Sequence, residues 1–324
     1  MFAVAHAALR KYALPPVSSI ELVNHSENFT YSVKTADGVR HALRIHRDGY
    51  HSKAAIASEL AWLIALRGDG VAITPRPVTG LNCELIQQIG HPNLARPRQV
   101  VLSEWEYGAE PKIEQHLNVV FEKLGMVTAK LHRHARKWQV PSNFERFTWD
   151  FETALGGANL HWDDWRKGMG VDAPKQKLFC RVVALIGQRL AAYGKGAERF
   201  GIIHADLRLA NLLVDGDILK VMDFDDSGFG WHMYDAATPL SFYEDDPRAE
   251  ELMAAWKNGY RSVNILEKVD EDEIPTFMMM RRLILVAWIG SHAETALAQS
   301  MGLAYTEGTV ALCENYLSRF GRRV

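Results

Sequence analysis

The stretch IIHADLRLANLLVDGDILKVMDFDD, residues 202–226, decides the fold of this chain. An apolar pair leads into a loop that carries Asp206, and two strand-like segments follow with turn residues at 215–217 between them. Two such segments joined by a short glycine-containing turn predict a β-hairpin. Asn211 lies just before one arm and Asp223 just after the other. The hairpin therefore brings both residues to one mouth, near Asp206.

Oxygen-bearing side chains that meet in a cleft predict a metal site. Carboxylates brought together repel one another unless a cation lies between them, and Mg²⁺ takes one or two carboxylates together with substrate phosphates. Phosphoryl transfer uses this arrangement, with one Asp orienting the attacking hydroxyl and an Asn and an Asp holding the metal. In the alternative reading, Asp206, Asn211 and Asp223 only cap turns. Their spacing and the apolar arms beside them favour the functional reading.

These residues also resemble a known family. HADLRLAN at 204–211, DFD at 223–225 and YDAA at 234–237 are similar to the pattern of the aminoglycoside phosphotransferase and choline kinase branch of the protein-kinase-like superfamily. The resemblance is strongest over 200–240 and weaker over 17–136. It implies an α+β, bilobal protein-kinase-like fold with a small β-rich N-lobe and a larger α-helical C-lobe.

The resemblance also assigns roles within the opening stretch. Asp206 is implied to be the catalytic base or hydroxyl-orienting group, and Asn211 and Asp223 are implied to bind Mg²⁺, with ATP as co-substrate. Arg208 occupies the position at which protein kinases carry a phosphate-contacting Lys, so it is a second candidate catalytic residue.

Four further polar residues flank these candidates. By the same resemblance, His204 and Asp235 are structural residues that hold the catalytic loop. Asp225 and Asp226 stay open between a metal or substrate role and a solvated turn.

The segment before residue 108 predicts a small mixed sheet with one helix. ADG between two strand-like runs predicts a hairpin. The run 52–68 has apolar residues at helical spacing and stops at Gly68, which predicts a helix with a glycine C-cap. The predicted strands are 19–23, 28–35, 39–47, 83–90 and 99–108.

The segment from residue 108 on is mainly helical by pattern. Long amphipathic helices are predicted at 113–138 and 176–194, and the Trp-rich segment 141–174 predicts loops and short helices. We therefore expect a nucleotide-binding lobe with its hinge over residues 1–107 and a catalytic and substrate lobe over residues 108–324.

The N-lobe carries the nucleotide-binding candidates that the resemblance implies. Arg44 stands where most kinases carry a phosphate-pairing Lys, and a guanidinium neutralises phosphate as a bidentate fork. Glu59 is its implied ion-pair partner; the alternative is that both are surface charges. LSEWEYG resembles the linker that binds adenine through its backbone. The residues of that linker are Glu104, Trp105, Glu106 and Tyr107.

The phosphate-covering loop departs from the kinase pattern. Kinases lay a glycine-rich loop over the phosphates, whereas NHSENFTYSV contains no glycine. Side chains of Ser26, Asn28 and Thr30 are the candidate donors in its place.

Other notable segments have plainer interpretations. His132 and His134, two apart on a helix, do not share a face and are predicted to lie at a solvated helix end. The tryptophans of 141–174 are predicted to be core, with a cation–π site for an amine as the alternative. The acidic run 243–251 is predicted to be a solvated loop, with attraction of a cationic substrate as the alternative.

Composition excludes several classes of protein. A net charge of −2 provides no basic field for nucleic acid or an anionic membrane. Three scattered cysteines argue against a disulfide framework or a zinc cluster and fit a reducing cytosol. The N-terminus reads as a short amphipathic helix without a basic n-region, and the apolar runs LAWLIAL and LILVAWIG are shorter than a membrane span. We expect a cytoplasmic protein.

The leading hypothesis is an ATP- and Mg²⁺-dependent phosphotransferase. Its acceptor is a hydroxyl of a small molecule: an amino alcohol, a sugar, a homoserine-like amino acid or an aminoglycoside. The alternatives are a bacterial protein Ser/Thr kinase of the same fold and a nucleotide-binding pseudokinase scaffold. The short segment between Asp223 and Tyr234 favours a small acceptor, and the complete catalytic loop disfavours the scaffold. Oligomeric state and the choice between ATP and GTP stay open.

Overall fold

The computed structural model describes residues 1–25 and 28–321. The chain forms two compact units, one of residues 1–109 with 139–146 and one of residues 110–138 with those from 147 on. The predicted division at residue 107 did not place residues 139–146 in the first unit. The first unit is a small β-sheet region and the second is largely helical, which confirms the predicted α+β class.

The N-terminal unit is built on a five-stranded antiparallel sheet with the order β1-β2-β3-β5-β4. The hairpin predicted at ADG joins β2 to β3, and Gly38 adopts the left-handed φ of +89° that this turn needs. Each predicted strand is present. The strands are β1 Val17–His25, β2 Phe29–Thr35, β3 Arg40–Ile45, β4 Ile86–Ile89 and β5 Arg98–Glu104, and the helices are α1 Phe2–Leu9 and α2 Lys53–Gly68.

The two helices of this unit follow from local sequence signals. Helix α1 buries Val4 and Ala8 against the sheet, in a cluster that includes Val33 and Leu43. Helix α2 begins at Ser52, whose hydroxyl accepts a hydrogen bond from the backbone N–H of Ala55 and so caps the helix.

The predicted glycine C-cap of α2 is wrong in position. Gly68 is the last helical residue, Asp69 is the C-cap, and the left-handed glycine is Gly70, with φ +65°.

The C-terminal unit contains six α-helices and five short strands among its described residues. The helices are α3 Asn118–Ala135, α4 Ala173–Tyr193, α5 Tyr234–Ala237, α6 Ala249–Arg261, α7 Lys268–Ser291 and α8 Ala296–Phe320. The strands are β6 Phe147–Trp149, β7 Phe200–Ile203, β8 Leu212–Asp215, β9 Ile218–Val221 and β10 Gly228–Trp231. Both long predicted helices are present, but α3 begins at Asn118 rather than at 113.

The predicted hairpin is the antiparallel pair β8 and β9. Asp215 pairs with Ile218, so Gly216 and Asp217 form the turn, and Gly216 has φ +57°. At the other end Leu212 pairs with Val221. This register places the residues just outside that pair at one mouth, as the sequence predicts.

A three-stranded sheet with the order β6-β10-β7 was not predicted. Its central strand carries Gly228 and Gly230, a composition that weakens the strand signal. Both glycines are required because other groups approach closely: a Cβ at Gly228 would lie 2.4 Å from the carbonyl oxygen of Phe147. The sheet ends directly before the catalytic loop, since β7 leads into it.

Helix α7 contains the apolar run LILVAWIG, which the sequence analysis considered too short to span a membrane. In the structure this run is part of a 24-residue helix that is long and apolar enough to cross a membrane by length and composition alone. However, 78% of its apolar window is buried inside the protein. Such burial is the behaviour of a core helix.

The prediction that the acidic run 243–251 is a solvated loop is wrong in two respects: residues 249–251 belong to α6, and Glu244 is buried. Glu244 is buried and accepts a hydrogen bond from the guanidinium of Arg282, 2.7 Å away. The Tyr305 hydroxyl also donates to Glu244. A buried carboxylate needs such partners, because an unpaired charge away from water is strongly unfavourable.

Close contact between α3 and α6 depends on two glycines. A Cβ at Gly125 would lie 2.0 Å from the carbonyl oxygen of Trp256, and one at Gly259 would lie 1.8 Å from that of Glu122.

We expect Gly125→Ala to lower the free energy of unfolding by about 3 kcal/mol, since the backbone must move to admit the methyl group. Urea denaturation measures this loss.

The matched control for this substitution is Gly68→Ala, at the end of α2. No atom lies within 4 Å of a Cβ placed there. Because alanine favours the helix, this variant should be unchanged or more stable by up to about 1 kcal/mol. Equal effects of the two substitutions would contradict the close helix contact.

Candidate active site

The catalytic loop after β7 is held through its backbone by one buried carboxylate. Asp235, in the first turn of α5, accepts hydrogen bonds from the backbone N–H of His204 (3.0 Å) and of Ala205 (2.7 Å). Ala205 has φ +66°, a left-handed conformation that is unfavourable for a residue with a Cβ. The two hydrogen bonds therefore hold the loop in a strained conformation, in the role that the resemblance implied for Asp235.

His204 connects the same loop to the end of the hairpin. Its Nε2 lies 3.1 Å from the carbonyl oxygen of Met222, and its Nδ1 accepts a hydrogen bond from the backbone N–H of Asp206. Burial lowers the pKa of His204, so the ring is neutral near pH 7. A neutral ring has one donor and one acceptor nitrogen, which matches these two contacts.

His132 is not at a solvated helix end, so that prediction is wrong. The residue is fully buried, with Nε2 3.1 Å from Asp235 Oδ2 and Nδ1 3.1 Å from the Tyr260 hydroxyl. Its ring stacks on that of His232, with 4.6 Å between centroids. Helix α3 thus provides a buried hydrogen-bond partner for Asp235.

Both carboxylate oxygens of Asp206 are engaged. Oδ2 accepts hydrogen bonds from Asn211 Nδ2 (2.7 Å) and Arg208 Nε (3.0 Å). Oδ1 accepts one from a terminal nitrogen of Arg281, 2.5 Å away. Burial alone would raise the pKa of Asp206, but the positive charges of Arg208 and Arg281 outweigh it and lower the pKa. The group is therefore ionised at neutral pH.

Asn211 and Asp223 meet at the mouth of the hairpin. The backbone N–H of Met222 donates to the carbonyl oxygen of Asn211 at 2.8 Å, which continues the β8–β9 pairing by one residue. Asp223 follows with φ +54°. The amide nitrogen of Asn211, Nδ2, donates to Asp206, so the amide oxygen takes no part in this hydrogen bond. An amide oxygen and a carboxylate form a donor set that suits Mg²⁺.

Some metal sites consist of three or more protein side chains and need no substrate ligand. Across residues 1–25 and 28–321, no group of three or more His, Cys, Asp or Glu side chains could hold a metal ion. A magnesium site that relies on one carboxylate, one amide and substrate phosphates does not need such a group.

The tryptophans of 141–174 are core residues, as predicted. Trp149, Trp162 and Trp165 are buried, and Trp149 Nε1 donates to the backbone carbonyl of Asp226. The guanidinium of Arg281 lies 5.2 Å from the ring of Trp162. Because a cation of the protein itself already faces this ring, the alternative of an open aromatic cage for an amine is disfavoured.

In the N-terminal unit, Arg44 and Glu59 form the expected ion pair. An Arg44 guanidinium nitrogen lies 3.1 Å from Glu59 Oε1, and the Glu59 side chain is buried. The alternative of an exposed helix residue is therefore wrong for Glu59. The pair fixes a guanidinium on β3, as the resemblance implied.

The linker residues differ in whether their backbone and side-chain groups already form hydrogen bonds within the N-terminal unit. The backbone N–H groups of Glu104 and Trp105 donate to the carbonyls of Arg76 and Arg40. Glu106 accepts a hydrogen bond from Arg67 at 2.7 Å, and Tyr107 is 56% exposed. The N–H donors of Glu104 and Trp105 are thus committed within the unit.

The glycine-free loop is described only in part. Ser26 lies outside the described residues. Asn28 is buried, and its Oδ1 accepts a hydrogen bond from the backbone N–H of Arg47. Thr30 pairs with Arg44 across β2 and β3. The side-chain oxygen of Asn28 is therefore used within the unit.

Comparison with known proteins identifies the family of the chain. The model of a phosphotransferase enzyme family matches residues 19–266. The chain belongs to this family. A solved structure of a microcompartment-associated aminopropanol kinase is 41% identical, covers 99% of both chains and superposes with a TM-score of 0.91. The amicoumacin kinase of Bacillus subtilis is 24% identical over 278 residues, 82% of this chain and 78% of its own.

More distant structures share only the fold. A choline kinase, LicA of Streptococcus pneumoniae, is 14% identical with a TM-score of 0.62, and covers 98% of this chain and all of its own. Family membership confirms the resemblance to the aminoglycoside phosphotransferase and choline kinase branch. The chain is a phosphotransferase of the kinase type with an alcohol group as acceptor.

The sequence analysis missed two residues that contact this site. Arg281 reaches Asp206 from α7, and His132 reaches Asp235 from α3. A signal for Arg281 was present: two adjacent arginines interrupt the apolar run MMMRRLILVAW. Charged residues are almost never buried without partners, so such a pair indicates buried acceptors.

The stacked rings of His132 and His232 predict a specific pH dependence of stability. Burial lowers the pKa of His132 to about 3, and burial together with His132 lowers that of His232 to about 2. The unfolded chain therefore takes up protons below about pH 6.5 that the folded chain excludes. The free energy of unfolding should fall with decreasing pH below that value.

We expect His232→Phe to reduce this acid sensitivity by about 1.4 kcal/mol per pH unit between roughly pH 6 and 4. Within the described part of the chain neither ring nitrogen of His232 has a hydrogen-bond partner, so the change removes no hydrogen bond. Arg136 and Asp235 also influence this ring and are retained. Denaturant unfolding at several pH values measures the slope, and an unchanged slope would show that His232 does not contribute.

Proposed function

We propose that this protein is an ATP- and Mg²⁺-dependent kinase that phosphorylates the hydroxyl of a small amino alcohol. The observation that carries the proposal is the Asp206 carboxylate, which accepts hydrogen bonds from Asn211 and Arg208 on one oxygen and from Arg281 on the other. The acceptor class is supported by the likeness to an aminopropanol kinase over 99% of both chains. The segment 224–233, which forms β10 and runs into α5, leaves little chain for a protein-substrate platform and supports a small acceptor.

In this proposal Asp206 orients the acceptor rather than removing its proton early. A carboxylate whose pKa is lowered is a weak base but a good hydrogen-bond acceptor for a hydroxyl group. Phosphoryl transfer through a loose transition state depends mainly on positioning and on neutralising charge. Asp206 would accept the hydrogen bond of the substrate hydroxyl and align its oxygen with the γ-phosphate.

Mg²⁺ would be held by the Asn211 amide oxygen and the Asp223 carboxylate. The ion supplies positive charge to the phosphate oxygens of the nucleotide. In the N-terminal unit, the guanidinium of Arg44, fixed by Glu59, is proposed to bind phosphate in the same way. Arg208 would add a positive charge beside Asp206. Adenine is proposed to bind the linker at Glu104, Trp105, Glu106 and Tyr107.

Asp206→Ala should abolish transfer while retaining nucleotide binding. We expect kcat for phosphorylation of 1-amino-2-propanol to fall by roughly 10³-fold or more, because the hydroxyl loses its orienting acceptor. Coupled ADP release measures turnover, and titration calorimetry measures Mg-ATP affinity. The control is Asp217→Ala, a fully exposed carboxylate in the hairpin turn, which should leave both quantities unchanged. Near-normal turnover by the Asp206 variant would overturn its role.

Asp223→Ala should instead weaken Mg-nucleotide binding. A ligand that binds only the native state raises stability by about 2.7 kcal/mol at a hundredfold excess over its Kd. We expect Mg-ATP to raise the melting temperature of the wild type and of Asp217→Ala, but much less that of Asp223→Ala. An equal, equally magnesium-dependent shift in all three would exclude Asp223 as a metal ligand.

The acceptor class is tested directly by a panel. Amino alcohols, choline, a sugar, homoserine, an aminoglycoside and a protein substrate are compared by kcat/KM. Highest kcat/KM for an amino alcohol supports the proposal, whereas preference for another acceptor replaces it. Mg-ATP binding without turnover of any acceptor would favour the alternative of a nucleotide-binding pseudokinase scaffold.

A further inference from the structure

Arg281 is a buried residue of α7 that touches the candidate catalytic carboxylate from a distant part of the chain. It lies 75 residues beyond Asp206 in sequence, and its side chain is 1% exposed. One terminal guanidinium nitrogen donates to Asp206 Oδ1 at 2.5 Å. A charge-assisted contact of this kind is among the stronger hydrogen bonds in proteins.

The guanidinium is itself fixed by neighbours on other elements. Nε donates to the Ser241 hydroxyl at 2.9 Å, and the second terminal nitrogen donates to the Tyr234 hydroxyl at 3.2 Å. That nitrogen also lies 3.5 Å from the carbonyl oxygen of Ala205. The planar guanidinium, held at three nitrogens, cannot rotate without breaking several contacts.

The other oxygen of Asp206 is held from within the catalytic loop, by Asn211 and Arg208. Donors on both oxygens fix the plane of the carboxylate, whereas donors on Oδ2 alone would leave it free to rotate about that contact. We propose that Arg281 is a positioning residue that sets the orientation of the Asp206 carboxylate toward the acceptor hydroxyl. This inference rests on the role given to Asp206 under the proposed function.

The burial of Arg281 excludes a simpler role in binding substrate. A side chain that is 1% exposed presents almost no surface to a bound acceptor or nucleotide phosphate. Its effect on the reaction therefore passes through Asp206. Removing it should change the rate of the transfer step and leave the affinity for Mg-ATP unchanged.

The chain contains a matched control in the next residue. Arg282 is equally buried, but it bonds Glu244, Thr309 and the carbonyl of Tyr305. No hydrogen bond or ion pair of the described structure joins Arg282 to the catalytic loop. A substitution at Arg282 therefore reproduces the loss of a buried guanidinium from α7 without disturbing Asp206.

The experiment compares Arg281→Gln with Arg282→Gln, using Mg-ATP and 1-amino-2-propanol and correcting for the folded fraction. We expect Arg281→Gln to lower kcat by roughly 10²-fold, since small misplacements of a catalytic group have effects of this size. Its KM for Mg-ATP should stay within about twofold of the wild type. Arg282→Gln should lower the melting temperature but retain kcat. Equal kcat values for the two variants would overturn the proposal.

A second pair of variants, with lysine in place of each arginine, keeps the test decisive if a glutamine variant does not fold. Lysine retains the charge but presents one ammonium group, which cannot bond Asp206, Ser241 and Tyr234 together. Arg281→Lys should therefore recover part of the activity, with kcat about tenfold below the wild type. Arg282→Lys should have the kcat of the wild type. Equal kcat values for Arg281→Lys and Arg282→Lys would show that Arg281 has no positioning role.

Measurement of ADP release with other acceptors, or with water, separates this inference from the proposed acceptor class. If the wild type does not phosphorylate 1-amino-2-propanol, the proposed acceptor class fails, and the same variants are then compared with the acceptor found in the panel or with water. A selective loss of kcat in Arg281→Gln would still support positioning of Asp206. Equal loss in the Arg281 and Arg282 variants would reject it, whatever the acceptor.

Discussion

The candidate active site depends on the buried carboxylate of Asp235. It bonds two successive backbone N–H groups of the catalytic loop and holds Ala205 in a left-handed conformation. Burial raises the pKa of this carboxyl, although the backbone N–H donors of His204 and Ala205 oppose the change. A strained backbone persists only where the surrounding structure over-determines it. His132 and α5 provide that surrounding structure, so the position of Asp206 depends on a carboxylate that is fully buried.

Two neighbouring buried arginines of the C-terminal unit form ion pairs that serve different purposes. Arg281 and Arg282 are adjacent on α7 and equally buried, yet one bonds the catalytic loop and the other bonds Glu244. A buried ion pair contributes little net stability, because desolvation of both charges offsets their attraction. The pairs are better understood as geometric constraints: one orients Asp206, and the other fixes the segment that follows α5 against α8.

Much of the fold could be predicted from local patterns. The strands β1 to β5 and the β8–β9 hairpin alternate or are bounded by turn residues, and the helices α2, α3 and α4 show helical spacing. Strand β10 could not be predicted, because its glycines are required by the close approach of Phe147 and Ile203, which are distant in sequence. For the same reason the buried states of His132 and Glu244 were missed: nothing in their neighbouring residues distinguishes them from solvated ones.

The sequence by itself predicted the chemistry that we propose for the site. The spacing of Asp206, Asn211 and Asp223 around a hairpin is a local property, and it predicted both the family and the class of reaction. Only the tertiary structure decided which side chains hold that chemistry in place. Arg281 and His132 reach the loop from helices far away in sequence, and such contacts arise from the packing of elements, which no local pattern encodes.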